Sequence, residues 1–154
     1  MDVYERLKKM GFELPPPPPK GGLYTPCKRF MGNLFYISGC GPAIGEKTCK
    51  GKLGVEVTVE QGQTAARNCM LNVLSVLHSE IGDLNRVANV VKILTFVSSG
   101  QDFFDQPQVA NGGSGLLLEL FGESVGLPSR SAVGVSVLPG DISVETEALF
   151  EVRW

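Results

Sequence analysis

Histidine is almost missing from this chain. Only His78 among 154 residues carries an imidazole, which excludes histidine-rich metal chemistry and leaves one candidate base for a Ser–His or Cys–His nucleophile. It falls near the edge of the apolar face of an expected helix, with no acid or cysteine at a recognised spacing, and reads as a partly exposed surface residue. Closely spaced cysteine pairs are also lacking. Cys27, Cys40, Cys49 and Cys69 stand too far apart for a zinc or redox motif, so free, semi-buried thiols are expected. No apolar run approaches the roughly 20 residues that a membrane helix needs, and MDVYERLKKMGFELPPPPP has no signal core. The expected location is therefore cytoplasmic, with no membrane partner. A basic excess is missing too: 14 Lys and Arg face 16 Asp and Glu, a net charge of −2, so no nucleic-acid partner is expected.

What remains is ordinary globular material, 43% hydrophobic and 19% charged, enough for one sizeable core. Residues 2–13 have Tyr4, Leu7 and Met10 at helical spacing, with Gly11 as a stop. The five prolines Pro15–Pro19 predict an extended polyproline II segment. It reads as a stiff spacer between an N-terminal arm (1–21) and the body (22–154), the other reading being a ligand for a proline-binding module. NLFYIS (33–38) is rich in strand formers. Thr58 opens the strongest helix with the capping box TVEQ, and Gly82 closes it. VANVVKILTFVSS (87–99) reads as a central strand covered on both faces. Asp105 or Gln106 caps a second helix with Pro107 as its first residue. Gly112, Gly113 and Gly115 lie inside that helix and permit close backbone packing, but without a Walker lysine they do not make a phosphate loop. Two final strands, 131–138 and 142–152, joined through PGD, read as a hairpin turning at Gly140. In the last strand Val144, Thr146, Ala148, Phe150 and Val152 share one face, and Glu145, Glu147, Leu149 and Glu151 the other. The order β-β-α-β-α-β-β predicts an α+β sheet with helices on one face. Its uncovered face makes self-association an expectation.

Arg130 poses the sharpest question. It sits at the mouth of an apolar strand expected to be buried, and the first acid that follows it is Asp141. The run RSAVGVSVLPGDISVETEA from Arg130 resembles the C-terminal signature of the RidA/YjgF family of reactive-intermediate deaminases, in a divergent branch. LYTPCKRFMGNLFYISGCGP, QTAARNCMLNVLSVL and VVKILTFVSSGQDFFDQPQVAN are similar, in order, to the family's first hairpin, first helix, and central strand with the start of its second helix.

The resemblance implies a chorismate-mutase-like fold and a homotrimer with clefts between subunits. It also implies cofactor-free hydrolysis of 2-imino acids, or their enamine tautomers, to 2-oxo acids and ammonia. It places the substrate-carboxylate arginine at Arg130, the water-orienting glutamate at Glu145 and the corner glycine at Gly39. Tyr24 falls on the cleft aromatic and Asn111 on the asparagine opening the second helix. Many members carry glutamine where this chain has Cys40, which reads as pocket-lining or packing, the alternative being a nucleophile. A planar guanidinium suits a carboxylate, and a glutamate suits an attacking water. Arg130 could instead pair with an acid of another subunit, and Glu145 could be a solvated strand residue, with Glu147 as its competitor on the same face. Two other functions stay open: carboxylate binding without turnover, and a ribonuclease activity.

Overall fold

In the computed structural model, which describes residues 2–154, the elements follow in chain order as α1 (Val3–Lys9), β1 (Cys27–Phe30), β2 (Leu34–Cys40), α2 (Val59–Ile81), β3 (Val87–Ser98), α3 (Gln106–Phe121), the short α4 (Glu123–Gly126), β4 (Ser129–Val135) and β5 (Val144–Val152). One five-stranded sheet has the order β1-β2-β5-β3-β4. The order of strands and long helices matches the sequence pattern, and α2 and α3 pack together on one face of the sheet.

α2 forms where its signals place it. The Gln61 N–H donates to Thr58 Oγ1 (3.2 Å) and the Thr58 N–H donates to Gln61 Oε1 (2.9 Å), satisfying two backbone donors that the first turn leaves open. Gly82 ends the helix at φ 79°, which only a residue without Cβ adopts freely. The apolar stripe of α2, with Met70, Val73, Leu74 and Leu77, packs with Phe35, Ile93 and Phe150 of the sheet.

α3 crosses α2 closely at Gly112, where a Cβ would overlap the carbonyl of Gln63 on α2. That is the backbone approach the glycines of this helix permit. The start of α3 differs from expectation by one residue. Asp105 occupies the cap position without a side-chain capping bond, Gln106 is first in the helix and Pro107 second. A proline is tolerated there because its missing N–H has no helical partner anyway.

Three expectations are corrected. The two C-terminal strands do not form a hairpin. β4 pairs in parallel with β3, Arg130 opposite Ile93, while β5 lies antiparallel between β2 and β3. A strand reached through a helix returns parallel to its predecessor, so β3-α3-β4 is one crossover unit that commits β4 to the outer edge of β3. β4 ends at Val135, and the chain then passes a short 3-10 turn at Pro139–Asp141 before starting β5. β4 is accordingly an edge strand, with Ser129, Ser131 and Val133 exposed, and not the buried strand expected after Arg130. β3 is central but covered on one face only: Ile93, Thr95 and Val97 are buried, whereas Leu94 and Phe96 are half-buried.

The N-terminal segment packs against the rest of the fold. Val3 and Leu7 of α1 are buried in the main core. Tyr4 Oη accepts from the Leu84 N–H (2.7 Å) and shares a hydrogen bond with His78 Nδ1 (3.0 Å), near the end of α2. His78 is thus half-buried and tied to α1. The expected spacer runs beside α2: Ser75 Oγ donates to the Pro15 carbonyl, and Pro15 and Pro18 are half-buried.

Among the described residues no helix is long and apolar enough to cross a membrane. The α2–α3 contact gives a direct prediction. Gly112→Ala forces two backbones apart at a site with no flexible side chain to yield, and is expected to cost about 1–3 kcal/mol. A urea-unfolding midpoint within error of the wild type would contradict it.

Candidate functional site

Two groups of the expected site residues assemble in one chain, and they assemble apart. The first is built on β4 and α3. Because Arg130 shares the register position of Ile93, it points to the helix-covered side of the sheet, at its outer edge. There its Nη1 donates to Asn111 Oδ1 (2.7 Å) and Ser114 Oγ (3.1 Å), both on α3. The two partners are neutral, so the guanidinium charge is oriented without being cancelled. Both N–H bonds of Nη1 are used, and no hydrogen bond from another described residue engages Nε or Nη2. These two atoms form the parallel side-on edge of the fork, the geometry that matches a carboxylate. Ser114 did not emerge from the sequence. Its signal was its spacing of one helical turn after Asn111, which places both on one face of α3.

The second group is built on β2, β5 and the segment before β1. Glu145 is opposite Phe96, on the uncovered face of the sheet. The pairing of β2 with β5 shifts register between Ile37 and Cys40, and Gly39 sits in that irregularity. A Cβ at Gly39 would overlap Glu145 Oε1, so the glycine lets the carboxylate lie directly over the strand backbone. A cavity of about 440 Å³ is lined by Tyr24, Gly39, Glu145, Glu147 and Pro139, among others. The Tyr24 hydroxyl accepts from the Gly21 N–H (3.0 Å), which fixes the ring at the cavity. Burial, and then the nearby Glu147, push the Glu145 carboxyl above its ordinary value. A carboxyl raised in this way holds or releases a proton nearer neutrality than a solvated one, as a residue handling a water's proton requires.

Cys40 follows on the same strand with its side chain buried. Its thiol lies 3.5 Å from the Ser38 carbonyl and is pushed up to about 12 by burial and by Glu145. At neutral pH it is a protonated thiol, which does not fit the nucleophile reading. It lines a smaller cavity with Tyr24 and Gly39. Among the described residues no group of three or more His, Cys, Asp or Glu could hold a metal ion.

Arg130 and Glu145 therefore face opposite sides of one sheet, with β3 between their strands. Within a single chain they do not form one constellation. The structure unites Arg130 with Asn111, and Glu145 with Tyr24, Gly39 and, beneath them, Cys40.

Comparison with known proteins follows the same lines. Residues 4–146 match the family described as "YjgF/chorismate mutase-like, putative endoribonuclease". Protein TCP17 of Trypanosoma cruzi is 41% identical over 157 aligned positions, covering 98% of this chain and 94% of that protein. The crystal structure of protein Atu1372 from Agrobacterium tumefaciens superposes with a TM-score of 0.90 at 37% identity, covering 98% of this chain and 93% of the other. The YjgF gene product of Escherichia coli superposes with a TM-score of 0.61 at 25% identity, over 92% of this chain and 94% of that one. Sequence match, relatives and architecture agree: this chain belongs to the RidA/YjgF family, with its chorismate-mutase-like fold.

Proposed function

We propose that the protein hydrolyses 2-imino acids, or their enamine tautomers, to 2-oxo acids and ammonia, in clefts where Arg130 of one subunit approaches Glu145 of the next. The observation that carries this reading is the Arg130 guanidinium, braced on Nη1 by two neutral partners and presenting its Nε–Nη2 edge. That edge grips the substrate carboxylate through two parallel hydrogen bonds and so fixes the adjacent C=N carbon. Glu145 orients a water toward that carbon and accepts its proton as the C–O bond forms. That proton passes to the imine nitrogen, giving a carbinolamine. Its hydroxyl then gives up its own proton, through Glu145, to the nitrogen as the C–N bond breaks, ammonia leaves and the carbon is left as a ketone. The balance is one imine and one water in, one oxo acid and one ammonia out. Asn111 and Ser114 act as positioning residues through Arg130, and Tyr24 and Gly39 shape the wall beside Glu145.

The same reading takes the protein as a homotrimer with shared sites, and it is supported by the two groups lying on opposite faces of the sheet, where no single chain brings them together. The uncovered face carries half-buried Leu94, Phe96 and Leu149 and the exposed Tyr36, apolar area that a neighbouring copy would remove from water. The ribonuclease reading has less support. A net charge of −2 and paired carboxylates Glu145 and Glu147 at the cavity oppose a phosphate backbone. Carboxylate binding without turnover is the other outcome of the experiment below.

Ammonia release is followed from imines generated in place by an amino-acid oxidase. Arg130→Ala and Glu145→Gln should each lower kcat/KM by about 10²-fold or more, the usual scale for losing a clamp or an acid–base group. Wild-type rates in either variant would retire the enzyme reading. Coexpressed in equal amounts, the two inactive chains should recover about a quarter of wild-type activity, because a random trimer restores that share of shared sites. No recovery would place each site within one chain. A separate test concerns pH. Glu147→Gln removes a negative charge that disfavours ionisation of Glu145, so the acid limb of kcat/KM should move to lower pH. An unmoved limb, or one moved upward, would exclude Glu145 as the titrating group.

A further inference from the structure

The proline segment bears on which substrate the site accepts. Beside the Glu145 cavity lies a second one of about 230 Å³. The two share Gly21, Tyr24, Ser38 and Gly39, so the Tyr24 ring and the β2 corner stand between them. The second cavity is walled by Pro18 and Pro19 on one side and by Pro26, Cys40 and Val76 on the other. We infer that this cavity receives the side chain of the 2-imino acid, and that the Pro15–Pro19 segment is its outer wall and selects an uncharged, apolar side chain of leucine or phenylalanine size. The inference rests on the deaminase reading, in which the reacting carbon lies beside Glu145.

Four observations carry it. The first is chemistry: the walls are largely proline rings, a valine and a thiol. The Ser38 hydroxyl is engaged by the Thr25 carbonyl and the Tyr24 hydroxyl by the Gly21 N–H, and the thiol stays neutral because burial pushes it up to about 12. Among the described residues no carboxylate lines the cavity, and the one cation, Lys20, is exposed. The second is size. At roughly 30 Å³ for each water-sized group, 230 Å³ takes about seven such groups, enough for a branched or aromatic side chain and far more than a methyl group fills.

The third is rigidity. The segment is anchored by the Ser75 hydroxyl on the Pro15 carbonyl, and Leu14 packs against the main core. At the far end the Gly21 N–H binds the Tyr24 hydroxyl. Proline rings fix φ along the run, so this wall loses little conformational freedom when a ligand enters. The fourth is arrangement. Polyproline II repeats every third residue, and Pro15 and Pro18 are half-buried while Pro16, Pro17 and Pro19 are exposed. One edge of the strap thus faces the body, and Pro18 with Pro19 closes the cavity.

The test compares kcat/KM for the imines derived from leucine and from alanine, with dissociation constants of the two matching oxo acids measured alongside. The wild type should prefer the leucine-derived imine by at least about tenfold, from the extra apolar surface buried. Val76→Phe fills the cavity from α2, and Pro18→Ala opens its outer wall. Each should lower the leucine-to-alanine ratio, Val76→Phe by about tenfold and Pro18→Ala by about threefold. Should Val76→Phe fail to fold, Pro18→Ala decides by itself. A wild type that prefers the alanine-derived imine, or a ratio unchanged in the folded variants, overturns the assignment. If no imine releases ammonia in the wild type, the deaminase reading falls, and the oxo-acid dissociation constants then judge the cavity: tighter leucine-derived than alanine-derived binding, weakened by Pro18→Ala, upholds it, and equal binding overturns it.

Discussion

Parallel pairing of β4 with the outer edge of β3 is the constraint from which the rest of the arrangement follows. It holds Arg130 in register with Ile93, on the helix-covered side of the sheet, within reach of Asn111 and Ser114 on α3. It also occupies the far edge of β3, so the last strand must insert between β2 and β3. That insertion carries Glu145 to the open face, over Gly39. The crossover helix depends in turn on the approach of α3 to α2 at Gly112, which sets how closely the two helices lie.

This division has a chemical meaning. An arginine paired with an acid of its own subunit would enter a substrate complex already neutralised, and a ligand would have to compete for it. Asn111 and Ser114 give direction and leave the charge available. Glu145 is the complementary case. Burial and Glu147 raise its carboxyl, which makes it a readier proton carrier. The two conditions call for different surroundings, a neutral brace beneath a helix and a partly desolvated acid pair, and placing them on opposite faces of one sheet meets both. The N-terminal segment joins the second group, because the chain from Pro18 to Tyr24 lies along both cavities there.

Local signals were legible residue by residue. The Thr58–Gln61 capping box, the Gly82 stop and the alternation along β5 are set by contacts within a few residues of chain, and the structure reproduces them. The resemblance pointed to Arg130 and Asn111 separately and not to the contact between them, and Ser114 escaped notice because its spacing from Asn111 marks a shared helix face and not an arginine partner. The supposed C-terminal hairpin failed for a definable reason. Two apolar strands separated by PGD look alike whether they pair with each other or with a third strand, since period-two alternation records which face is buried and not which neighbour is bonded. The proline run meets the same limit. Its composition fixes an extended conformation, but whether that strap floats free or lies against α2 depends on Ser75, about sixty residues later in the chain.

By itself the sequence determined the secondary structure, the apolar faces, the identity of the candidate residues and the family, because each depends on local periodicity or on a contiguous motif. Tertiary structure decided the order of the strands, the separation of Arg130 from Glu145 and the closing of a cavity by the proline strap. Those features come from pairings between segments distant in the chain, chosen by which edges and faces remain free once the crossover unit has formed.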